Sequence, residues 1–284
     1  MELSWVKIDV KAEEGYKPPF FAGSMLRGAL GVALKRVVCI NPSYRCQGCF
    51  AADNCIYFDF YEKENSYHPY RVVSPLGMDR LEFSLYLYEE SISKLPYILS
   101  SIKKALEEVG LGREKRVLKI ANIKVLNKSI YEKGEFSTKV SIEPKSFEID
   151  EFYEDVTLKF TLPLRIKSKN RLSKEVVLPI LINSIHNRYM ELKGKERSKL
   201  NYIVKGEIEK SSMRHLDLVR YSNRQKSRMR LGGLIGSISL KGVDKQTYAY
   251  LKLGEILGAG KQTVFGLGSY MLIPSKRKES YERD

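Results

Sequence analysis

The sequence predicts an α+β fold of two tandem β-α-β-β-α-β domains, the ferredoxin-like order, with a C-terminal glycine-rich loop. Three observations predict it. Segments that alternate apolar and polar residues, as strands do, are interleaved with segments whose apolar residues recur every three or four positions, as helices do. That order of elements runs twice along the 284 residues, without any residue-level repeat. Near the end, Gly258, Gly260, Gly266 and Gly268 form two Gly-x-Gly pairs between a helical and a strand-like segment. Glycine admits positive φ and lets another backbone come close.

The elements follow in order. Leu3, Trp5, Ile8 and Val10 mark a first strand, which ends at the prolines of residues 15–19. Met25, Leu26, Ala29, Leu30, Ala33, Leu34 and Val37 predict a helix over 22–38. Residues 70–74 and 81–88 read as strands, the second alternating through Leu81, Phe83, Leu85 and Leu87. An amphipathic helix over 94–109 closes at Gly110, and 117–126 is the next strand. An acidic, irregular stretch then predicts a linker over 136–154, so the first domain is 1–135. The second domain, 155–274, has a strand over 156–166 and a helix over 173–192 with Ser173 as its N-cap. A strand pair over 213–224 and 228–240 precedes the last helix and strand, which bracket the glycine loop. Residues 275–284 form a charged tail.

Composition narrows the function. With 49 Lys and Arg against 34 Asp and Glu, the net charge is +15, which points to a polyanionic partner, nucleic acid first. No run of 18 apolar residues predicts a membrane helix, and the N-terminus lacks a secretion signal, so the expected location is the cytoplasm. Arg220, Arg224, Lys226, Arg228 and Arg230 all occupy even positions. In an extended chain they would share one face, unless a turn near Gln225 resets the register. Tyr221 is interleaved and could stack on a base. Arginine suits phosphate because its planar fork binds two oxygens at once.

Four cysteines, Cys39, Cys46, Cys49 and Cys55, fall in an insertion over 39–55 with C-x6-C-x2-C-x5-C spacing. Four thiolates suit structural zinc or an iron–sulfur cluster; disulfides and free buried thiols are the alternatives. Either way the segment reads as a staple. The glycine loop is no P-loop: Glu255 stands where its first glycine belongs, and Gln262 follows Lys261. A dinucleotide fingerprint fails too, because a helix rather than a strand precedes the glycines. The three histidines, His68, His186 and His215, show no metal spacing, and a lone histidine is more often structural than catalytic.

The loop Gly258-x-Gly260-x5-Gly266-x-Gly268 resembles the C-terminal glycine-rich motif of the RAMP superfamily. Lys261, Thr263 and Phe265, the Arg220-Tyr221-Ser222-x-Arg224-Gln225 run, Gly232-Gly233-Leu234-x-Gly236, and Met25-Leu26-Arg27-Gly28-Ala29-Leu30-Gly31 are similar to one branch. That branch is the CRISPR-associated endoribonuclease of the sixth Cas family, which cuts precursor CRISPR RNA within its repeats. The resemblance implies two ferredoxin-like folds with RNA held across them, and metal-independent cleavage. In that reaction the ribose 2′-OH attacks its phosphate, leaving 2′,3′-cyclic phosphate and 5′-OH ends. The chemistry needs a base, an acid and cations on the phosphorane. Many members carry a histidine in or just after the first helix, whereas this chain has none from 22 to 67. The resemblance therefore leaves catalysis to Lys35, Tyr44 and Arg27, or to His186. It assigns RNA binding to Arg220, Tyr221, Arg224, Lys226, Arg228, Arg230, Gly258, Gly260, Lys261, Gly266 and Gly268. It calls for no catalytic cofactor, and the implied partners are CRISPR repeat RNA, other Cas effector subunits and a second copy of the chain. A repeat-RNA-binding subunit without catalysis is the alternative.

Overall fold

The computed structural model describes residues 1–64, 66–137, 139–168, 171–222 and 227–275, with 221–222 and 227–228 described by backbone alone. Arg224, Lys226 and the tail beyond Ser275 lie outside the described residues.

The first half runs β1 (Ser4–Ala12), α1 (Gly23–Val38), β2 (Tyr70–Val73), β3 (Glu82–Tyr88), α2 (Leu95–Lys104) and β4 (Ile120–Val125). β5 (Lys128–Glu132) and β6 (Glu135–Phe136) extend its antiparallel sheet, whose order is β2-β3-β1-β4-β5-β6. β1 buries Val6, Ile8, Val10 and Ala12 and turns Lys7, Asp9 and Lys11 to the other face, as period-two alternation requires. α1 covers that buried face with Leu26, Leu30, Ala33 and Leu34.

The expected linker is partly stitched into this sheet. β7 (Lys145–Ser146) pairs with Ser4 and Trp5 of β1, and Phe147 is buried in the second core. The second half then runs β8 (Val156–Leu164), a small hairpin of β9 (Lys167–Ser168) and β10 (Arg171–Leu172), and α3 (Leu178–Leu192). β11 (Glu207–Ser211) and β12 (Arg214–Leu216) lead to a ribbon of β13 (Val219–Ser222) and β14 (Ser227–Arg230). β15 (Gly233–Lys241), α4 (Lys245–Leu257) and β16 (Tyr270–Pro274) complete the chain. The sheet order β11-β15-β8-β16 repeats the β2-β3-β1-β4 order of the first half, element for element.

Two expectations need correction here. Ser173 does not cap α3, which starts five residues later with Pro179 in its first turn; proline has no N–H to satisfy there. The single strand pair over 213–240 is instead two pairings. Among the described residues β12 pairs with β15, whereas β13 pairs with β14. In that pairing Arg220 lies opposite Met229, Arg230 opposite Val219 and Arg228 opposite Tyr221. Of the described basic positions, Arg220 therefore lies on one face of the ribbon and Arg228 and Arg230 on the other, the case in which the register resets near Gln225.

The halves meet over an apolar seam in which Leu3 and Tyr88 of the first join the second core. Among the described residues, no helix is long and apolar enough to cross a membrane.

Candidate nucleic-acid interface

The glycine loop leaves α4, crosses to the first half and returns to β16. Gly258, Gly260, Gly266 and Gly268 are all buried, and the backbone around them explains why. A Cβ on Gly268 (φ +71°) would collide with the Ala259 carbonyl oxygen, and one on Gly258 (φ +74°) would sit 3.1 Å from the Arg71 guanidinium. The glycines thus admit protein, not RNA, which corrects their reading as a contact surface. The exposed part of the loop is Lys261 and Gln262, held by a hydrogen bond from the Lys261 N–H to the Arg165 carbonyl at 2.7 Å.

Two fully buried arginines, each 1% exposed, fix this loop between the halves. Arg71 of β2 donates to the carbonyls of Ile256 (2.8 Å) and Glu255 (3.4 Å) and to Ser269 Oγ. Those carbonyls end α4, where the helix dipole favours a cation. Arg188 of α3 crosses in the opposite direction, donating to Thr263 Oγ1 in the loop and to the Tyr70 carbonyl at 3.5 Å. Burial lowers the Arg188 pKa. Sequence carries a signal for Arg188: it falls on the face of α3 that buries Leu178, Leu181 and Ile185, where a charge is out of place.

A line of cations and rings then crosses the seam. The Arg220 guanidinium lies 4.7 Å from the Phe265 ring centre, and that of Arg27 lies 5.3 Å from the same ring. Arg27 also covers Tyr61 at 4.6 Å; Tyr61 stacks on Tyr57 at 5.3 Å; Lys35 covers Tyr57 at 4.9 Å. Gly31 of α1 leaves room for Tyr61, whose hydroxyl donates to the Arg27 carbonyl at 3.1 Å. Phe21, Leu218, Leu231 and Leu267 pack around Phe265 and tie the ribbon to the loop.

Arg27 and Arg220 are cations without an anion. The Nε of each is buried with no hydrogen-bond partner, and neither joins an ion pair among the described residues. Burial first, and then the Arg27 charge, lowers the Arg220 pKa. Unpaired like charges beside one ring are costly unless an anion completes them.

The other candidate groups are spread out. Lys35 stands eight residues along α1 from Arg27, about 12 Å at the helical rise. Tyr44 is exposed beyond the end of α1, with φ +55°. His186 turns away from the loop. Ser184 and Arg188, one turn apart, face the loop, and Ser184 Oγ accepts from the Gly260 N–H at 3.0 Å. His186 is on the other side of the helix, buried, with its ring nitrogens 2.9 Å from the Tyr250 hydroxyl and 3.0 Å from Ser198 Oγ. It is a satisfied core histidine.

The cysteines do not assemble. All four are free and half-buried, and among the described residues no group of three His, Cys, Asp or Glu side chains could hold a metal. Cys39 ends α1, Cys46 and Cys49 span one turn, and Cys55 closes another.

His68, set aside on sequence grounds, lies by the cation line. Its ring centre is 6.1 Å from that of Tyr70, and Nδ1 is 3.5 Å from the Asp59 carbonyl. Burial, followed by the Arg27 charge, lowers its pKa to about 4. A histidine with a depressed folded-state pKa binds protons more readily when unfolded, so it removes stability as pH falls from about 6.5 to about 4. The loss approaches about 3 kcal/mol across that window. His68→Gln is expected to flatten the acid limb of a stability–pH curve by that amount, as measured by denaturant unfolding at pH 7, 5.5 and 4.

Residues 158–270 match the family model of the CRISPR-associated endoribonuclease Cas6, and residues 1–145 match an N-terminal domain family, AF_1859_N. An uncharacterized protein of Archaeoglobus fulgidus is 23% identical over 96% of this chain and 98% of its own length. The fold is shared with a Cas6 product complex (TM-score 0.57, 14% identity, 96% of this chain and 99% of that one). It is also shared with a RAMP protein described as binding different RNA substrates (TM-score 0.51, 14% identity, 95% and 99%). The chain thus belongs to the AF_1859_N family by its first half, and it is Cas6-like in residues 158–270 and in its fold.

Proposed function

We propose that this protein binds CRISPR repeat RNA at the Arg27–Phe265–Arg220 position and cuts it there by attack of a ribose 2′-OH on the adjacent phosphate. The products are a 2′,3′-cyclic phosphate and a 5′-OH. The observation that carries the reading is the pair of guanidinium groups, Arg27 from one half and Arg220 from the other, that share one ring and have no anion among the described residues. The repeated strand order supports reading both halves as ferredoxin-like units, with this pair at their seam.

In this reading Arg27 and Arg220 grip the phosphate at the cut and stabilise the extra charge that develops on its oxygens. His68 stands beside Tyr70 near this pair, but burial and the Arg27 charge hold its pKa at about 4, which makes it a weak acceptor for the 2′-OH proton at pH 7. Lys35, a full 12 Å or so from Arg27 along α1, serves a neighbouring phosphate rather than the reacting one. Lys261 in the loop and Arg230 in the ribbon, both exposed, add charge, with Tyr44 as a further contact. Other Cas subunits are proposed partners for the assembled ribonucleoprotein.

The test is incubation of end-labelled repeat RNA with the protein in EDTA, beside a substrate carrying one 2′-deoxy residue at the cut. Cleavage of the all-ribo RNA alone, with a cyclic phosphate end, is expected. Tight binding with no cutting of either would leave an RNA-binding subunit; cutting of the deoxy substrate would refute 2′-OH attack.

A further inference from the structure

A groove of about 590 Å³ opens beside the Arg27–Arg220 position and is not used by the reading above. One wall is the outward side of α1, with Met25, Gly28 and Val32; the other is the ribbon, with Val219 and Arg220. The end is closed by the connection after α2, which brings Arg113 and Lys115. Arg220 thus lines both the groove and the phosphate position. Among the described residues that line it, three are cations and none is a carboxylate. Its walls carry apolar surface that a soluble protein usually covers: Val32 is 42% and Val219 59% exposed.

The basic tip is built to stay where it is. The N–H of Leu111 donates to the Arg116 carbonyl at 2.9 Å, and the Arg116 N–H returns the bond to Leu111 at 3.0 Å. Leu111 is anchored in the first core, and Gly110 takes the positive φ that turns the chain out of the helix. Holding cations on a closed turn lowers the ordering cost of binding. Opposite, Gly28 faces open space: a Cβ there would meet nothing within 4 Å. Fixed positive charge at one end, an apolar wall and an open floor match single-stranded nucleic acid, which offers a phosphate chain and flat apolar bases.

We propose that this groove is a second RNA subsite. It takes the single-stranded segment that flanks the cut, with phosphates toward Arg113 and Lys115 and a base against Met25, Val32 and Val219. The inference rests on the proposed binding of repeat RNA. It goes further in fixing which way the strand leaves the seam: over the first turns of α1, away from the cysteine insertion.

The test uses full-length protein and fluorescence anisotropy with three RNAs: the whole repeat, and the repeat trimmed close to the cut on one side or the other. Arg113→Glu with Lys115→Glu is expected to weaken the whole repeat at least tenfold and to lower the salt slope by about 1.4, for two single-strand phosphates. It leaves one of the trimmed RNAs unaffected, namely the one lacking the bound flank. Gly28→Leu narrows the groove while favouring the helix, so a loss of affinity in this variant cannot come from unfolding. Wild-type affinity in both variants overturns the subsite, as does an equal loss for all three RNAs. If Arg27→Ala weakens binding and the groove variants do not, only the subsite falls. If wild-type protein fails to bind the repeat, both readings fall.

Discussion

Replacing Arg27 or Arg220 by alanine is expected to lower affinity for repeat RNA by about 10- to 100-fold, the value of about 1.5–3 kcal/mol for a hydrogen bond to a charged group. Each change also removes about 0.7 from the slope of log affinity against log salt if one phosphate contact is lost. Because both arginines grip the same phosphate, the double variant should lose less than the sum of the singles. Stability should move the other way. Each guanidinium has a buried Nε without a partner, and the two charges repel, so removing one relieves an unfavourable arrangement. The melting temperature is expected to hold or rise while binding collapses. Calorimetry and anisotropy on the same samples separate this from a folding defect, which would lower both together.

The second large effect is structural. Arg71→Ala strips the donors from the end of α4, leaving the Glu255 and Ile256 carbonyls and Ser269 Oγ without their partner. It also leaves a void beneath Gly258, whose missing side chain exists to admit that guanidinium. Stripping a charged donor from these three acceptors costs about 3–5 kcal/mol, at about 1.5–3 kcal/mol for each hydrogen bond to a charged group less the relief of unburying the charge. For a chain of this size that is a fall of about 6–15 °C in melting temperature. Arg71→Lys keeps the charge near the helix end but cannot fork between two carbonyls, so an intermediate loss is expected. A melting curve of Arg71→Ala that overlays the wild type would show that the loop is not held this way.

The element order was legible because it depends on local periodicity. The alternation of Leu81 to Leu87 and the three- and four-residue steps of Met25 to Val37 describe β3 and α1 to within a residue or two. The ribbon was legible only in part, because even-numbered spacing gives one cationic face unless the register resets near Gln225, and the observed pairing puts Arg220 on one face and Arg228 and Arg230 on the other. The glycines were legible as a tight loop but not as a protein-facing one, since what they admit, the Arg71 guanidinium and the Ala259 carbonyl, is distant in sequence or visible only once the loop closes. Arg27 was legible through a family pattern; its partner ring, Phe265, lies 238 positions along the chain and shares the site only after the halves dock. His68 was discounted as a lone histidine without metal spacing, and only the fold brings it within the field of Arg27.

The central claim is that one phosphate at the cut lies between Arg27 and Arg220. It is tested most directly by a double-mutant cycle across the interface. One arm replaces the phosphate at the cut with an uncharged methylphosphonate; the other replaces both arginines with alanine. If they meet, the wild-type protein should discriminate the two RNAs by about 10-fold or more, and the double variant should bind them equally. Undiminished discrimination by the double variant would contradict the account and place that phosphate elsewhere on the protein.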